Sequence, residues 1–146
     1  MKDKKVATPF NPSKRATSYV KNSLPPIECC SYCDSNVMIT TNDTVYGKTY
    51  GEYPWIYYCA NCEAFVGMHP YTNIPLGTLA DKKLRTARKH AKDPFNKIWQ
   101  SGLTTRTELY DKLAKYLNID RSHCHFGWFT YEQCQKLIGF NYMELL

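Results

Sequence analysis

Hydrophobic and polar positions change their period once along this chain. Short runs of β-branched and aromatic residues occupy the stretch between 26 and 76, whereas beyond 77 apolar residues recur every three or four positions. In the first stretch, Val37–Thr41 alternates as a strand does, Asn42-Asp43 reads as a turn, and Thr44–Tyr50 as a returning strand. Gly51 and Pro54 interrupt that run. Trp55–Tyr58 and Ala64–Val66 complete a set of short antiparallel strands.

The helical stretch opens at Pro75–Asp81, where Thr78 and Asp81 stand at capping-box spacing. Leu84, Ala87/Arg88, Ala91, Phe95 and Ile98 follow at helical spacing, with Asp93-Pro94 expected to restart or kink the helix, Asp93 as cap. Thr105 and Glu108 cap a second helix that buries Leu109, Leu113 and Leu117. His123–Phe129 reads as a short strand or a turn. Thr130 and Gln133 then cap a last helix, containing Cys134, Leu137 and Ile138, that Gly139 stops. The expected class is α+β, divided into a flexible basic arm at 1–25, a strand module at 26–76 and a helical unit at 77–146.

Cysteine spacing gives the strand module its chemistry. Cys30/Cys33 and Cys59/Cys62 are two Cys-x-x-Cys pairs, each on a turn-like segment with strands between them. Two thiolates three positions apart on a tight turn reach one ion, and a second such turn completes a tetrahedron. The spacing predicts a four-cysteine zinc ribbon with one structural Zn²⁺ on Cys30, Cys33, Cys59 and Cys62. The alternative is two disulfides or buried free thiols. It fits less well, because the N-terminus lacks the apolar core of a signal peptide and three cysteines remain, Cys29, Cys124 and Cys134. Cys29 is a neighbour of the site and not a ligand, since Cys30 keeps the register of the other pair.

Charge locates a different activity. The net charge is +6, but residues 22–80 hold only Lys48 against five acidic side chains. The ribbon is therefore poorly suited to phosphates. Residues 1–21 carry six basic side chains, and 81–97 carry seven, of which Lys82, Arg85, Lys89 and Lys92 share one helical face. Six aromatics between Tyr46 and Tyr58 read first as cover for a small sheet and second as a stacking surface for bases. No apolar run reaches the roughly 18 residues of a membrane span. The expected location is cytoplasmic, with thiols kept reduced.

The order of motifs resembles a group of bacterial and phage proteins described as zinc-finger-containing. Cys30-Ser-Tyr-Cys33, Val45–Gly51, Tyr58–Gly67, His69, Pro75–Ala80, Leu84-Arg85, Trp99 and Cys124–Gly127 carry the likeness, which covers most of 28–139. The resemblance implies a zinc-bound fold and a bacterial or phage origin (the host cytoplasm, if phage-encoded). It brings no activity with it.

Three functions follow as expectations. The first is nucleic-acid binding, DNA or RNA, through Lys82, Arg85, Lys89, Lys92 and the arm. The second is docking on a protein, for example a host enzyme, through the aromatic ribbon. The third is an enzyme built on histidines, for which the chain offers little: no HExxH, no phosphate-cradling glycine loop, and a fully ligated zinc with no open position. No catalytic residue is assigned. A pocket holding His69, Thr78 and His125 is the remaining expectation, with Thr78 at a helix N-terminus offering N–H groups to an anion.

Overall fold

The computed structural model describes residues 6–146, so Lys2, Lys4 and Lys5 of the arm lie outside the described residues. The chain divides after Asp81 into two compact units. The boundary follows the 68–80 segment, which continues the first unit beyond the expected limit at 76.

The first unit is built on a three-stranded antiparallel sheet in the order β1 (Met38–Thr41), β2 (Trp55–Tyr58), β3 (Phe65–Gly67). Met38 pairs with Tyr58 and Tyr58 with Phe65, so the central strand arrives at the second cysteine pair already fixed on both sides. Buried Tyr57, Met68 and Leu79 pack with Cys30, Cys59 and Ala64 into one core. The metal ligands are thus part of the core and not an appendage to it.

Thr44–Tyr50 is not a strand. Asp43–Tyr46 forms a single helical turn, α2, ended by Gly47 at φ 82°. The Asn42 side chain decides this: its amide donates to the carbonyl of Tyr50 and its oxygen accepts from the Tyr50 N–H, both at 3.0 Å. Those bonds close a loop where a continuous strand would have left both backbone groups to a neighbour that the sheet does not supply. The arm, for its part, carries a short helix, α1 (Lys14–Ser18), capped by Ser13. Ser13 N donates to the Tyr71 carbonyl at 2.8 Å, and the Phe10 ring meets Trp55 edge-on at 5.8 Å.

In the second unit, α3 (Lys82–Gln100), α4 (Arg106–Leu117) and α5 (Tyr131–Leu137) surround an aromatic core. Phe95, fully buried, touches Tyr110, Phe126 and Tyr142 at ring distances of 4.5, 5.0 and 5.6 Å. Thr105 and Thr130 cap α4 and α5 as expected, the latter in a complete capping box.

Two expectations are corrected here. Helix α3 begins at Lys82, not at Thr78, because Ala80 is held in an extended bridge to Phe65. The helix also runs through Asp93-Pro94 without restarting. Pro94 is exposed while Phe95 is buried, so the carbonyl of His90, which has no N–H to meet at Pro94, is on the side that water can reach. Of the two readings of His123–Phe129, short strand or turn, the structure has the turn: Arg121–His123 and Phe126–Trp128 are 3-10 turns.

Candidate metal centre

The two cysteine turns repeat one backbone design. Cys30 N donates to the Ser35 carbonyl at 2.8 Å, and Asp34 N donates to the Cys30 carbonyl at 2.9 Å. Cys59 N donates to the Ala64 carbonyl at 2.9 Å, and Glu63 N to the Cys59 carbonyl at 2.8 Å. Each turn therefore closes around its first cysteine at the same offsets. Each also passes through a left-handed residue just after its second cysteine, Asp34 at φ 60° and Glu63 at φ 63°. That reversal folds both thiols of a pair to one side.

The sulfurs converge. Cys30 Sγ lies 3.3 Å from Cys62 Sγ, and Cys33 Sγ lies 3.5 Å from Cys59 Sγ. All four are within 4.8 Å of one another, and no disulfide joins them. A tetrahedral ion with Zn–S bonds of about 2.3 Å sets its ligands about 3.8 Å apart. The set fits one Zn²⁺ with every position filled.

Electrostatics points the same way. Hydrogen bonds from Asn61 and Ser35 hold the Cys33 thiol down to about 6. At Cys62 the Ala64 N–H favours the thiolate, but the thiols of Cys30, Cys59 and Cys33, with burial, push it up to about 12. Four sulfurs this close do not all ionise by themselves; a divalent cation supplies the missing charge. Tyr32 N donates to Cys30 Sγ at 3.4 Å, a backbone dipole aimed at the same negative site. Zn²⁺ bound here is structural, because four thiolates leave it no position for water or substrate.

Residues 26–143 match the family of zinc-finger-containing domains. The chain belongs to that family. No curated protein matches the chain, and no solved structure matches it. Among the described residues, the four cysteines form the one cluster of three or more potential metal ligands.

The other expected site residues fall as follows. Lys82, Lys89 and Lys92 are exposed on α3, and Arg85 is half-buried on the same face. Lys89 has Asp93 as a partner at 3.9 Å, both side chains largely exposed. His69 and Thr78 belong to the first unit and His125 to the second. His69 opens a loop closed by its own backbone, His69 N to the Ile74 carbonyl at 2.9 Å. Burial lowers the pKa of its imidazole, keeping it neutral. Thr78 precedes α3, whose first turn starts at Lys82, so the helix N-terminus expected at Thr78 is not there. His125 packs its ring against Trp128 at 4.7 Å, with His123 edge-on to the same indole at 5.7 Å.

Cys29 is exposed and outside the sulfur cluster. Cys124 and Cys134 are fully buried, and burial pushes the Cys124 thiol up to about 11 and raises that of Cys134 as well. A protonated, inaccessible thiol is no nucleophile. The helical period places Arg88 beside the apolar positions of α3, but the sequence assigns it no role there. It is buried, and its Nε and Nη2 both donate to the Phe129 carbonyl.

Proposed function

We propose that this protein binds nucleic acid by phosphate contacts from the exposed face of α3, aided by the arm, with the zinc ribbon as a structural module. The observation that carries this reading is the separation of charge between the two units. Residues 1–81 hold seven basic and seven acidic side chains, whereas residues 82–146 hold twelve basic and six acidic. The whole net charge of +6 therefore belongs to the unit that contains α3. Lys82, Arg85, Lys89 and Lys92 place four of its basic side chains on one side of that helix, and Asp93, the single acidic residue in α3, is engaged by Lys89 through a weak exposed pair. A field of one sign on one face attracts a polyanion and does little for a neutral partner. In the arm, Lys14, Arg15 and Lys21 are exposed and add to the same attraction.

The test is binding of DNA and RNA as a function of salt, for the wild type and for the variant Lys82→Gln, Arg85→Gln, Lys89→Gln, Lys92→Gln. Affinity should fall linearly on a log–log plot for the wild type. The slope should shrink in the variant by roughly 0.9 for each duplex phosphate left unneutralised, or about 0.7 on a single strand. A wild type that binds neither nucleic acid at low salt sinks the reading, and nuclease-resistant co-purification of a protein would then favour docking on a host factor.

A further inference from the structure

The other flank of α3 faces a groove. Between α3 and α5 lies an open cavity of about 550 Å³ whose rim and walls include Lys82, Lys83, Thr86, His90, Tyr131 and Gln135. The volume falls in the roughly 300–1,000 Å³ range of small-ligand sites. At about 100° of turn per residue, Lys83, Thr86 and His90 point away from the flank holding Arg85, Lys89 and Lys92, with Lys82 between the two. Helix α3 thus presents a mainly basic flank and, beside it, a concave one with mixed chemistry.

We infer that this groove takes one unpaired base of a single-stranded nucleic acid, stacked on Tyr131, while the adjoining phosphates lie along Lys82 and the basic flank of α3. The inference rests on the nucleic-acid reading above and narrows it to single strands. Three observations carry it. Tyr131 is half-buried and holds a cation over its ring, Lys83 Nζ at 4.2 Å from the centroid; both residues line the groove, so the ring face toward it is covered by a mobile side chain that a flat partner can displace. Lys82, Thr86, His90 and Gln135 have no side-chain hydrogen bond or ion pair among the described residues, although all four line the groove. Their chemistry is that of a nucleotide site: ammonium, hydroxyl and imidazole for phosphate or sugar oxygens, and a carboxamide that donates and accepts on a base edge. A base in a duplex keeps its face stacked on its neighbours and does not enter. On binding, Lys83 leaves the ring for the phosphate beside it, exchanging a cation–π contact for an ion pair.

Fluorescence anisotropy separates the groove from the phosphate face. The probes are a labelled oligothymidylate, a labelled oligouridylate and a mixed-sequence duplex of the same length, each with the full chain loaded with zinc. Tyr131→Ala should weaken binding of the single strands about tenfold, in keeping with the stacking of one base. It should leave duplex binding and the salt slope unchanged. Tyr131→Phe should bind as the wild type does, and Gln135→Ala, at an exposed position, should alter the preference between bases without loss of fold. Lys89→Gln with Lys92→Gln should instead weaken single strand and duplex alike and lower the salt slope. Single-strand affinity unchanged in a folded Tyr131→Ala protein overturns the groove while leaving phosphate binding intact. Equal binding of duplex and single strand by the wild type overturns it too. A wild type that binds no probe removes the reading beneath it, a result distinct from both.

Discussion

Arg88 donates from Nε and Nη2 to the one carbonyl of Phe129, at 3.1 and 3.0 Å, and is itself 9% exposed. The guanidinium joins the middle of α3 to the residue just before the cap of α5, and brings its charge into a core of aromatics and thiols. Breaking such a contact leaves a buried acceptor without its charged donor, at a cost of about 1–3 kcal/mol. Arg88→Met should lower stability by about that amount in urea unfolding. Arg88→Lys should not restore it, because an ammonium lacks the planar fork. The salt slope of nucleic-acid binding should stay as in the wild type. A drop in that slope would make Arg88 a phosphate contact and contradict its burial.

The zinc site gives the second prediction. Cys30 and Cys59 are both buried in the core of the first unit, so removal of the metal takes away core as well as charge compensation. Protein purified under reducing conditions should hold one Zn²⁺ per chain. Chelation or Cys59→Ser should unfold the ribbon, as seen by the disappearance of near-ultraviolet dichroism from its tyrosines and tryptophan. Acidification should release the ion as the thiolates take up protons. Metal analysis without zinc, or a chelated protein with an unchanged spectrum, would count against the site.

The four ligands were legible in the sequence because metal chemistry fixes both identity and spacing. The backbone that aims them was not. Asp34 and Glu63 adopt left-handed φ; aspartate visits that region occasionally and glutamate rarely, so neither marks the reversal in sequence as a glycine would. Residues 44–50 have β-forming composition, yet the Asn42–Tyr50 bonds hold them as a turn and loop; a side-chain bond spanning eight residues escapes any local pattern. The caps at Thr105 and Thr130 were legible since a capping box is local and both ends lie in one short window. Arg88 was ambiguous for the opposite reason. Only the tertiary position of Phe129 distinguishes a buried arginine from a solvated one.

A third prediction follows from that left-handed pair. An L-residue in this conformation costs about 1–2 kcal/mol, and glycine, though entropically less favourable, avoids the clash. Glu63→Gly should be neutral or stabilise the metal-loaded protein by up to about 1 kcal/mol, and Glu63→Val should destabilise it. Thermal melts of the zinc-loaded variants give the order. A valine variant as stable as the wild type would remove the left-handed turn from the explanation of the knuckle.

His69 makes stability depend on pH. Burial lowers its pKa below the ordinary 6.5, so the folded state prefers the neutral ring. Its contribution is present above about 6.5. It is lost as pH falls through the lower folded value, because the unfolded chain binds the proton first. Wild type and His69→Gln should therefore converge in urea midpoint as the pH drops from neutral into that window. The zinc thiolates protonate in both proteins, and comparing the two removes their effect. Parallel curves would mean that His69 titrates as it does in water.

Pro94 offers the last test, inside α3. A proline in a helix interior removes one hydrogen bond and crowds the carbonyl four residues back, at about 3 kcal/mol. The helix nonetheless continues, and the burial of Phe95 in the next position, against Tyr110, Phe126 and Tyr142, explains why. The aromatic core holds the following turn in place whether or not the His90 carbonyl is satisfied. Two effects of Pro94→Ala oppose each other: the helix regains an N–H donor, and the unfolded chain regains freedom. The first is the larger in a helix interior, so the substitution should stabilise the second unit by about 1–2 kcal/mol. Phe95→Ala, by contrast, should cost about 3–5 kcal/mol. If Pro94→Ala destabilises the protein, the proline is setting the direction of the turn that delivers Phe95, and α3 depends on it as a bend and not merely in spite of it.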